Sequence, residues 1–462
     1  FAWLHLSDIH IGHGAADHQA DQNLVLEELC ADVARQIAAG IPKPDVVLVT
    51  GDIAFSGACR NKHEYKRAAE WLKKIAGAVG LGPEAVFVVP GNHDVQRPVD
   101  KPDKEDLLRA LRNGKKTVDN VLPDRAIRKY LAARQANYRA FAKDFAFVCG
   151  GGDGNRPAFH WRHSLKVGER LTVRLCGLNT ALLAADKERF QDDQGALQLG
   201  TIQIQDLLSE VDSEGEVVIV MSHHPLSGGW LRDEQEVSSW VRKKAHIHLS
   251  GHVHAADNSR MISGGGNELI HVVAGAAHGE KEPKGVDARH GYSFGALCAA
   301  GDGVEMHLWA RRWSPENKDF RLDVHVVPDG KQYATHPIKH VKLPRPSNPG
   351  PDARERGSTR PTLPVDDSVA EAEGRALTLL REHPRLVASL SRQKLEKLGD
   401  DPESIVRALL HDKKAHEVTK ALNGAFAHLA NDKDATADDQ RLLRAIFNEC
   451  LRFAIDWREV IS

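Results

Sequence analysis

At 462 residues, 41% of them hydrophobic, the chain can bury a sizeable core and exceeds one typical domain, which excludes a disordered protein and predicts two domains. Its 62 Lys and Arg nearly balance 64 Asp and Glu, leaving a net charge of -2, so overall charge names no nucleic-acid or membrane partner and any basic surface must be local. Six scattered cysteines (Cys30, Cys59, Cys149, Cys176, Cys298 and Cys450) form no C-x-x-C pair, which excludes zinc fingers and fits reduced thiols better than a disulfide framework.

Strands are predicted in chain order at "FAWLHLS", "DVVLVT" (45–50), "AVFVVP" (85–90), "LTVRLCGLN" (171–179), "EVVIVMS" (216–222) and "HIHLS" (246–250). Several are apolar on both faces, as in a sheet covered on both sides. Between the first two, Leu26, Leu29, Val33 and Ile37 give one apolar helix face, and a second helix is expected from about Glu64 to Ile75. This βαβ punctuation predicts a layered α/β domain. The runs "ELIHVVAG" (268–275), "GYSFGALCAA" (291–300) and "VEMHLWA" (304–310) follow without helices between them and read as antiparallel strands.

From about His336 to Asp367 the chain holds seven of its 21 prolines and almost no apolar periodicity, so residues 336–367 read as a linker between a domain at 1–335 and a second domain. Residues 368–462 read as a small all-α domain. Asp401-Pro402-Glu403 has the look of a helix start, and Leu442, Leu443, Ile446, Phe447, Cys450, Leu451 and Ile455 form a broad apolar stripe that needs a partner surface. With 15 basic and 16 acidic residues, this part suits a protein contact or a homodimer better than a nucleic acid. No signal-peptide layout and no run of eighteen apolar residues is present, which predicts a soluble, cytoplasmic protein without a membrane role. The first residue is Phe rather than Met, which leaves room for a longer natural chain.

The strands end in polar clusters rather than in ordinary turn residues. "SDIH" follows the first, Gly51-Asp52 the second, "GNHD" (91–94) the third, and later come "SHHP" (222–225) and "GHVH" (251–254). Alternation along a strand predicts that Asp8 and His10 reach a common point. In α/β sheets ligands gather beyond the carboxyl ends of the strands, and five such ends here deliver Asp, Asn or His. A glycine precedes the key residue in three clusters, where a missing side chain lets the backbone come close to a small charged object. Mixed carboxylate, imidazole and amide donors suit Mn, Fe, Zn, Ni or Co better than Ca or Mg. Seven candidates are too many for one ion and fit two, about 3.5 to 4 Å apart and sharing a carboxylate, for which Asp52 is the natural bridge.

D-x-H, G-D, G-N-H-D, H and G-H-x-H in that order resemble the calcineurin-like metallophosphoesterase superfamily, over about residues 1–315. The resemblance implies an α/β fold, a layered β-sandwich flanked by helices, and two divalent cations, Mn first. One cation would take Asp8, His10, Asp52 and His254, the other Asp52, Asn92, His223 and His252. The family pattern, with its ligand two residues before the proline, favours His223 over His224. His93 would face the scissile phosphate, with Asp94 orienting its ring. The implied chemistry is phosphodiester hydrolysis by a hydroxide held between the two metals.

Residues 97–143 follow GNHD as an insertion with 13 Lys or Arg, six Asp or Glu, and Tyr130, Tyr138 and Phe141. Beside such a site it reads either as a wall for DNA or RNA, with aromatics stacking on bases, or as a solvated helical hairpin whose aromatics pack on the core. The first makes the chain a nuclease, resembling the repair exonucleases of the superfamily. The second suits a cyclic-nucleotide or other small-molecule phosphodiesterase, with the insertion as a lid. A third reading makes the chain an effector of a bacterial conflict or defence system, recruited through residues 368–462. His13, His18 and His278 lie in loops near the site without a clear role, and Arg311, Arg312 and Trp313 in "WARRWSPENKDF" read as structural.

Overall fold

The computed structural model describes residues 1–58, 63–97, 101–145, 158–168, 170–209, 215–263, 266–278 and 290–343. The chain divides after Asn348, and the expected all-α domain lies outside the described residues, as do Cys59, Cys149 and Cys450.

The elements run β1 (Ala2–Leu6), α1 (Ala16–Ala38), β2 (Val46–Val49), α2 (Glu64–Ala78) and β3 (Val86–Val88), then α3 (Pro102–Arg112), α4 (Val118–Val121), α5 (Arg125–Ala133) and α6 (Ala136–Ala142). They continue with β4 (Trp161–Val167), β5 (Leu171–Gly177), α7 (Thr201–Leu208), β6 (Glu216–Met221), α8 (Glu234–Lys244) and β7 (Ile247–Ser250). β8 (Asp257–Ile262), β9 (Glu268–Val273), β10 (Gly291–Ala300), β11 (Gly303–Ser314), β12 (Asp319–Leu322) and β13 (Ala334–Ile338) follow.

Two sheets form. The first is ordered β12-β11-β10-β1-β2-β3, with β13 also paired to β11, and the second is β4-β5-β6-β7-β9-β8. β1, β2 and β3 run parallel, as do β5, β6, β7 and β9. The β6 sequence shows how the layers separate: Val217, Ile219 and Met221 enter one core with Leu4, Val47 and Phe87 of the first sheet, while Val218 and Val220 enter a second core with Leu108, Ile204 and Val237 of the helices. A period of two with both faces apolar therefore reports a strand buried on both sides, as expected from "EVVIVMS".

The structure corrects the order of the later strands. β9 is not an antiparallel neighbour of β10; it lies parallel to β7 in the second sheet, with β8 returning antiparallel along its edge. β10 and β11 are antiparallel, as expected, and close the first sheet against β1. The linker also begins later than residue 336. β13 pairs with β11, and Val341 and Leu343 beyond it are buried in the core. Pro337 is accommodated because, among the described residues, β13 has β11 as its only partner strand, so no second ladder there needs its missing N–H. Arg311 pairs with buried Asp32 at 3.0 Å and Trp313 is buried, so this stretch is structural as read.

The insertion is helical, and its aromatics largely face inward. Tyr138 and Phe141 are buried in the core, so neither is free to stack on a base. Arg112 and Arg134 are buried too. Arg134 donates to the carbonyls of Leu182 and Ala184, and Arg112 pairs with Asp193 at 2.6 Å. Among the described residues no helix is long and apolar enough to cross a membrane.

Candidate metal centre

All seven candidate ligands come together at one end of the sandwich, beyond β1, β2 and β3 in one sheet and β6 and β7 in the other. The loops after β1 and β2 run on as a pair, with Asp8 N–H donating to Gly51 O at 3.0 Å and the N–H groups of Ile9 and His10 both donating to Asp52 O at 2.9 Å. Asp8 and His10 converge, but not through strand alternation. Both have φ of 51°, and Asp52 (52°), His252 (71°) and His254 (55°) share this left-handed conformation. Among the described residues only Lys318 and His340 otherwise adopt positive φ without being glycine. Such backbone costs about 1–3 kcal/mol per residue, and five ligands held there mark a site for which the fold gives up stability.

The clustered glycines serve crowding by neighbouring ligands. A Cβ on Gly91 would lie 2.1 Å from Asp52 Oδ1, and one on Gly251 would lie 1.8 Å from Ser7 Oγ and 2.6 Å from Asp8 Oδ2.

Two groups of donors meet at Asp52. On one side, His254 Nε2 lies 3.1 Å and His10 Nε2 3.7 Å from Asp8 Oδ1, and His10 Nε2 is 3.8 Å from Asp52 Oδ2. On the other, His223 Nε2 lies 3.2 Å from the same Asp52 oxygen, 3.0 Å from Asn92 Oδ1 and 3.1 Å from His252 Nδ1. Asp8, His10, Asp52, Asn92 and His223 are buried, whereas His93, His252 and His254 are half-buried and line the open side.

The donor set fits divalent cations on its own geometry. An amide, two imidazoles and a carboxylate converge at Asn92, His223, His252 and Asp52, the mixed nitrogen and oxygen set that suits a first-row divalent cation. The Nδ1–H of His223 donates to Thr50 O at 2.8 Å, which leaves Nε2 facing these groups as the ligand atom. His224, also buried, has its Nδ1 2.9 Å from Thr180 Oγ1 and groups with His223 and His252 as a potential ligand, but of the two it is His223 whose Nε2 lies 3.2 Å from Asp52 Oδ2.

Electrostatics point the same way. Burial alone would raise Asp8 and Asp52, yet the surrounding histidines hold both carboxyls well below their usual range. Burial likewise opposes protonation of His223 and His254, but Asp52 and Asp8 respectively carry each to about 9. The two buried carboxylates therefore recruit positive charge, and protons supply it where cations do not.

His93 sits at the open side, its ring 4.8 Å from that of His10. Here the structure corrects an expectation. Asp94 does not orient this ring; its oxygens accept from the N–H groups of Ile53, Ala54 and Gly91 and from Tyr65 Oη at 2.9 Å, tying the loop after β2 to the loop after β3. The ring is held by Phe55, whose carbonyl accepts from Nδ1 at 2.8 Å, while the His93 backbone N–H donates to Asp52 Oδ1 at 2.8 Å. No local pattern announces a carbonyl from another loop, which is why Phe55 and Thr50 escape a reading of the sequence. His13, His18 and His278 form a run of rings beside the site: His13 stacks on Phe55 at 4.2 Å, His18 lies 4.7 Å from His13, and His278, whose backbone N–H donates to Asp8 O at 3.3 Å, lies 4.9 Å from His18. On the opposite side, Trp230 packs edge-on to His252 at 4.1 Å.

The family model for calcineurin-like phosphoesterase matches residues 3–256, more than half of the chain and all seven candidate ligands. The chain belongs to that family. A curated relative, the uncharacterized metallophosphoesterase-like protein YydB of Bacillus subtilis (strain 168), is 28% identical over 245 residues, covering 50% of this chain and 45% of the relative. The chain thus spans less than half the length of that relative. Among solved structures, wild-type Vps29 complexed with zinc from Entamoeba histolytica is similar at 11% identity and a TM-score of 0.28, covering 73% of this chain and 99% of its own. A 5'-nucleotidase from Candida albicans is similar at 13% identity and a TM-score of 0.33, covering 64% of this chain and 47% of its own. The two sheets with flanking helices seen here are consistent with the fold of that family.

Proposed function

We propose that the chain is a phosphodiesterase using two divalent cations, one held by Asp8, His10, Asp52 and His254 and the other by Asp52, Asn92, His223 and His252. The observation that carries this reading is Asp52 Oδ2, which faces His10 on one side and His223 on the other. When bound, such ions supply Lewis acidity toward phosphoryl oxygens and acidify coordinated water. The N and O donors suit manganese, and also Fe, Zn, Ni or Co.

The chain's own residues do the rest. The left-handed loops fix the ligands before substrate arrives, so little reorganisation accompanies reaction. Burial keeps the His93 imidazole neutral in the free protein, near a pKa of about 3. A phosphoryl anion beside it favours the imidazolium, and with Nδ1–H held by Phe55 O the added proton sits on Nε2, facing the leaving oxygen.

Nucleic acid is the first substrate reading, supported by the exposed Lys101, Arg109, Lys115, Lys116, Arg125, Lys129 and Lys143 of the insertion. A cyclic nucleotide or other small phosphodiester is the second, favoured by the burial of Tyr138 and Phe141, which removes two of the three aromatics a stacking wall would use. A competition assay separates them: the full chain with manganese, labelled single- and double-stranded DNA, RNA and cyclic AMP together, beside His93→Ala. Loss of polymer at low salt that fades as salt rises supports the nuclease. Cleavage of cyclic AMP with intact polymers supports the small-molecule enzyme, and cleavage of none by a metal-loaded chain would overturn the phosphodiesterase reading.

A further inference from the structure

Away from the metal ligands, a cavity of about 270 Å3 opens between the end of α3, the segment around Phe190 and Gln191, and the loop after β6. Three arginines line it, two from the basic insertion (Arg109 and Arg112) and one from that loop (Arg232).

Their roles differ. Arg112 is buried and occupied, with Asp193 at 2.6 Å and the carbonyls of Leu183, Gln191 and Asp192 around its guanidinium. It builds the wall. Arg109 lies over the Phe190 ring at 4.9 Å and uses only Nη2, toward Glu105 at 2.6 Å and Arg189 O at 3.1 Å. Arg232 uses Nε and Nη2, both toward Arg112 O. Nε and Nη1 of Arg109 and Nη1 of Arg232 make no hydrogen bond among the described residues.

Charge is unbalanced there. Arg109, Arg112 and Arg232 meet only two carboxylates at salt-bridge distance among the described residues, Glu105 and Asp193, and Glu105 also lies 3.3 Å from Arg189. Nearby Asp192 is paired with Lys187, and Asp233 accepts from the backbone N–H groups of Leu199 and Gly200. Two guanidinium groups with spare donors in a concave, positively charged wall are suited to a tetrahedral oxyanion, which accepts from several N–H groups at once. The volume lies just under the range of about 300–1,000 Å3 typical of sites for drug-sized molecules, so the occupant is small.

We propose that this cavity is a phosphate-binding site, separate from the metal centre, that takes a small phosphorylated molecule or free phosphate. It is physically joined to the centre through one segment. Gly195 N–H donates to Trp230 O at 3.2 Å and Arg232 N–H to Leu197 O at 2.8 Å, and Trp230 on that segment packs against His252.

The test is calorimetric titration of the full chain, treated with chelator, with inorganic phosphate at low salt. The proposal expects one site that survives Asp52→Asn, weakens with added salt, and loses at least about tenfold in affinity in Arg109→Gln and in Arg232→Gln, each shown to be folded by circular dichroism. Arg109 is exposed, so its variant separates lost binding from lost folding. Binding that disappears in Asp52→Asn, survives both arginine variants, or is absent at millimolar phosphate overturns the proposal. A 5'-phosphorylated oligonucleotide as competitor identifies the source: displacement names a nucleic-acid end, its failure names a free small phosphate, and either leaves phosphate as the ligand.

Discussion

The Nδ1–H of His223 donates to the carbonyl oxygen of Thr50 over 2.8 Å, so a residue ending β2 in one sheet sets the tautomer of a histidine following β6 in the other. With Nδ1 protonated, Nε2 carries the lone pair and faces Asp52 and Asn92. His223→Asn is therefore expected to lower bound manganese from two ions per chain toward one and to cut phosphodiesterase activity by at least about 100-fold, several kcal/mol of barrier. His224→Gln, which can still meet Thr180, is expected to keep both ions. Metal analysis after gel filtration, with activity on a chromogenic phosphodiester, distinguishes the two. Equal metal loss in both variants would contradict the assignment of His223.

His93 touches the site without belonging to either ligand set, and Phe55 fixes its ring. His93→Ala is expected to retain both metals while kcat falls about 10²- to 10⁴-fold, the range typical of a lost general acid. The deficit should shrink on a substrate with a nitrophenol leaving group, which departs without a proton. An unchanged deficit across leaving groups would assign His93 to charge stabilisation instead.

Gly251 and Gly77 offer a matched pair. A Cβ at Gly251 would overlap Ser7 Oγ and press on Asp8 Oδ2, whereas one at Gly77, exposed near the end of α2, meets nothing within 4 Å. Gly251→Ala is expected to lose metal or fail to fold. Gly77→Ala should raise stability by about 0.5–1 kcal/mol, because alanine loses less conformational freedom in a helix. Urea unfolding of both variants checks the contrast.

Much of this was legible in the sequence, for physical reasons. Strands buried on both faces announce themselves as apolar runs, which is why "DVVLVT" and "EVVIVMS" were readable. β4, with alternate residues exposed and four polar side chains in seven, and β8, with no buried residue, sit on sheet edges and carry no such run. The candidate ligands were legible because each follows a strand end in a short pattern, and the fold brings these candidates together. The groups that tune them were not, since Thr50 and Phe55 act through a carbonyl. The basic insertion misled in one respect: composition counts Arg112, Arg134, Tyr138 and Phe141 as surface candidates, and the fold uses all four inside.

His246 gives a pH dependence independent of the metal ligands. Burial, helped by nearby His340, lowers its pKa from about 6.5 to about 4, and Val218 N–H donates to its Nδ1 at 2.9 Å, a bond that requires the neutral ring. Above pH 6.5 the ring is neutral in folded and unfolded chains alike, and this stability is fully present. As pH falls from 6.5 toward 4 the unfolded chain takes up the proton and the folded chain does not, so stability drains by up to about 1.4 kcal/mol per pH unit for this one group. Below about 4 the folded ring protonates as well and the loss levels off. Buried His5 and His271, lowered to about 3 and about 4, add losses of the same sign. His246→Gln keeps an acceptor for Val218 without a titrating proton, so in chelator-treated protein the slope of unfolding free energy against pH between 6.5 and 4 should flatten by close to one proton. Urea titrations at four pH values measure it, and parallel slopes for wild type and variant would show that His246 titrates normally in the folded chain.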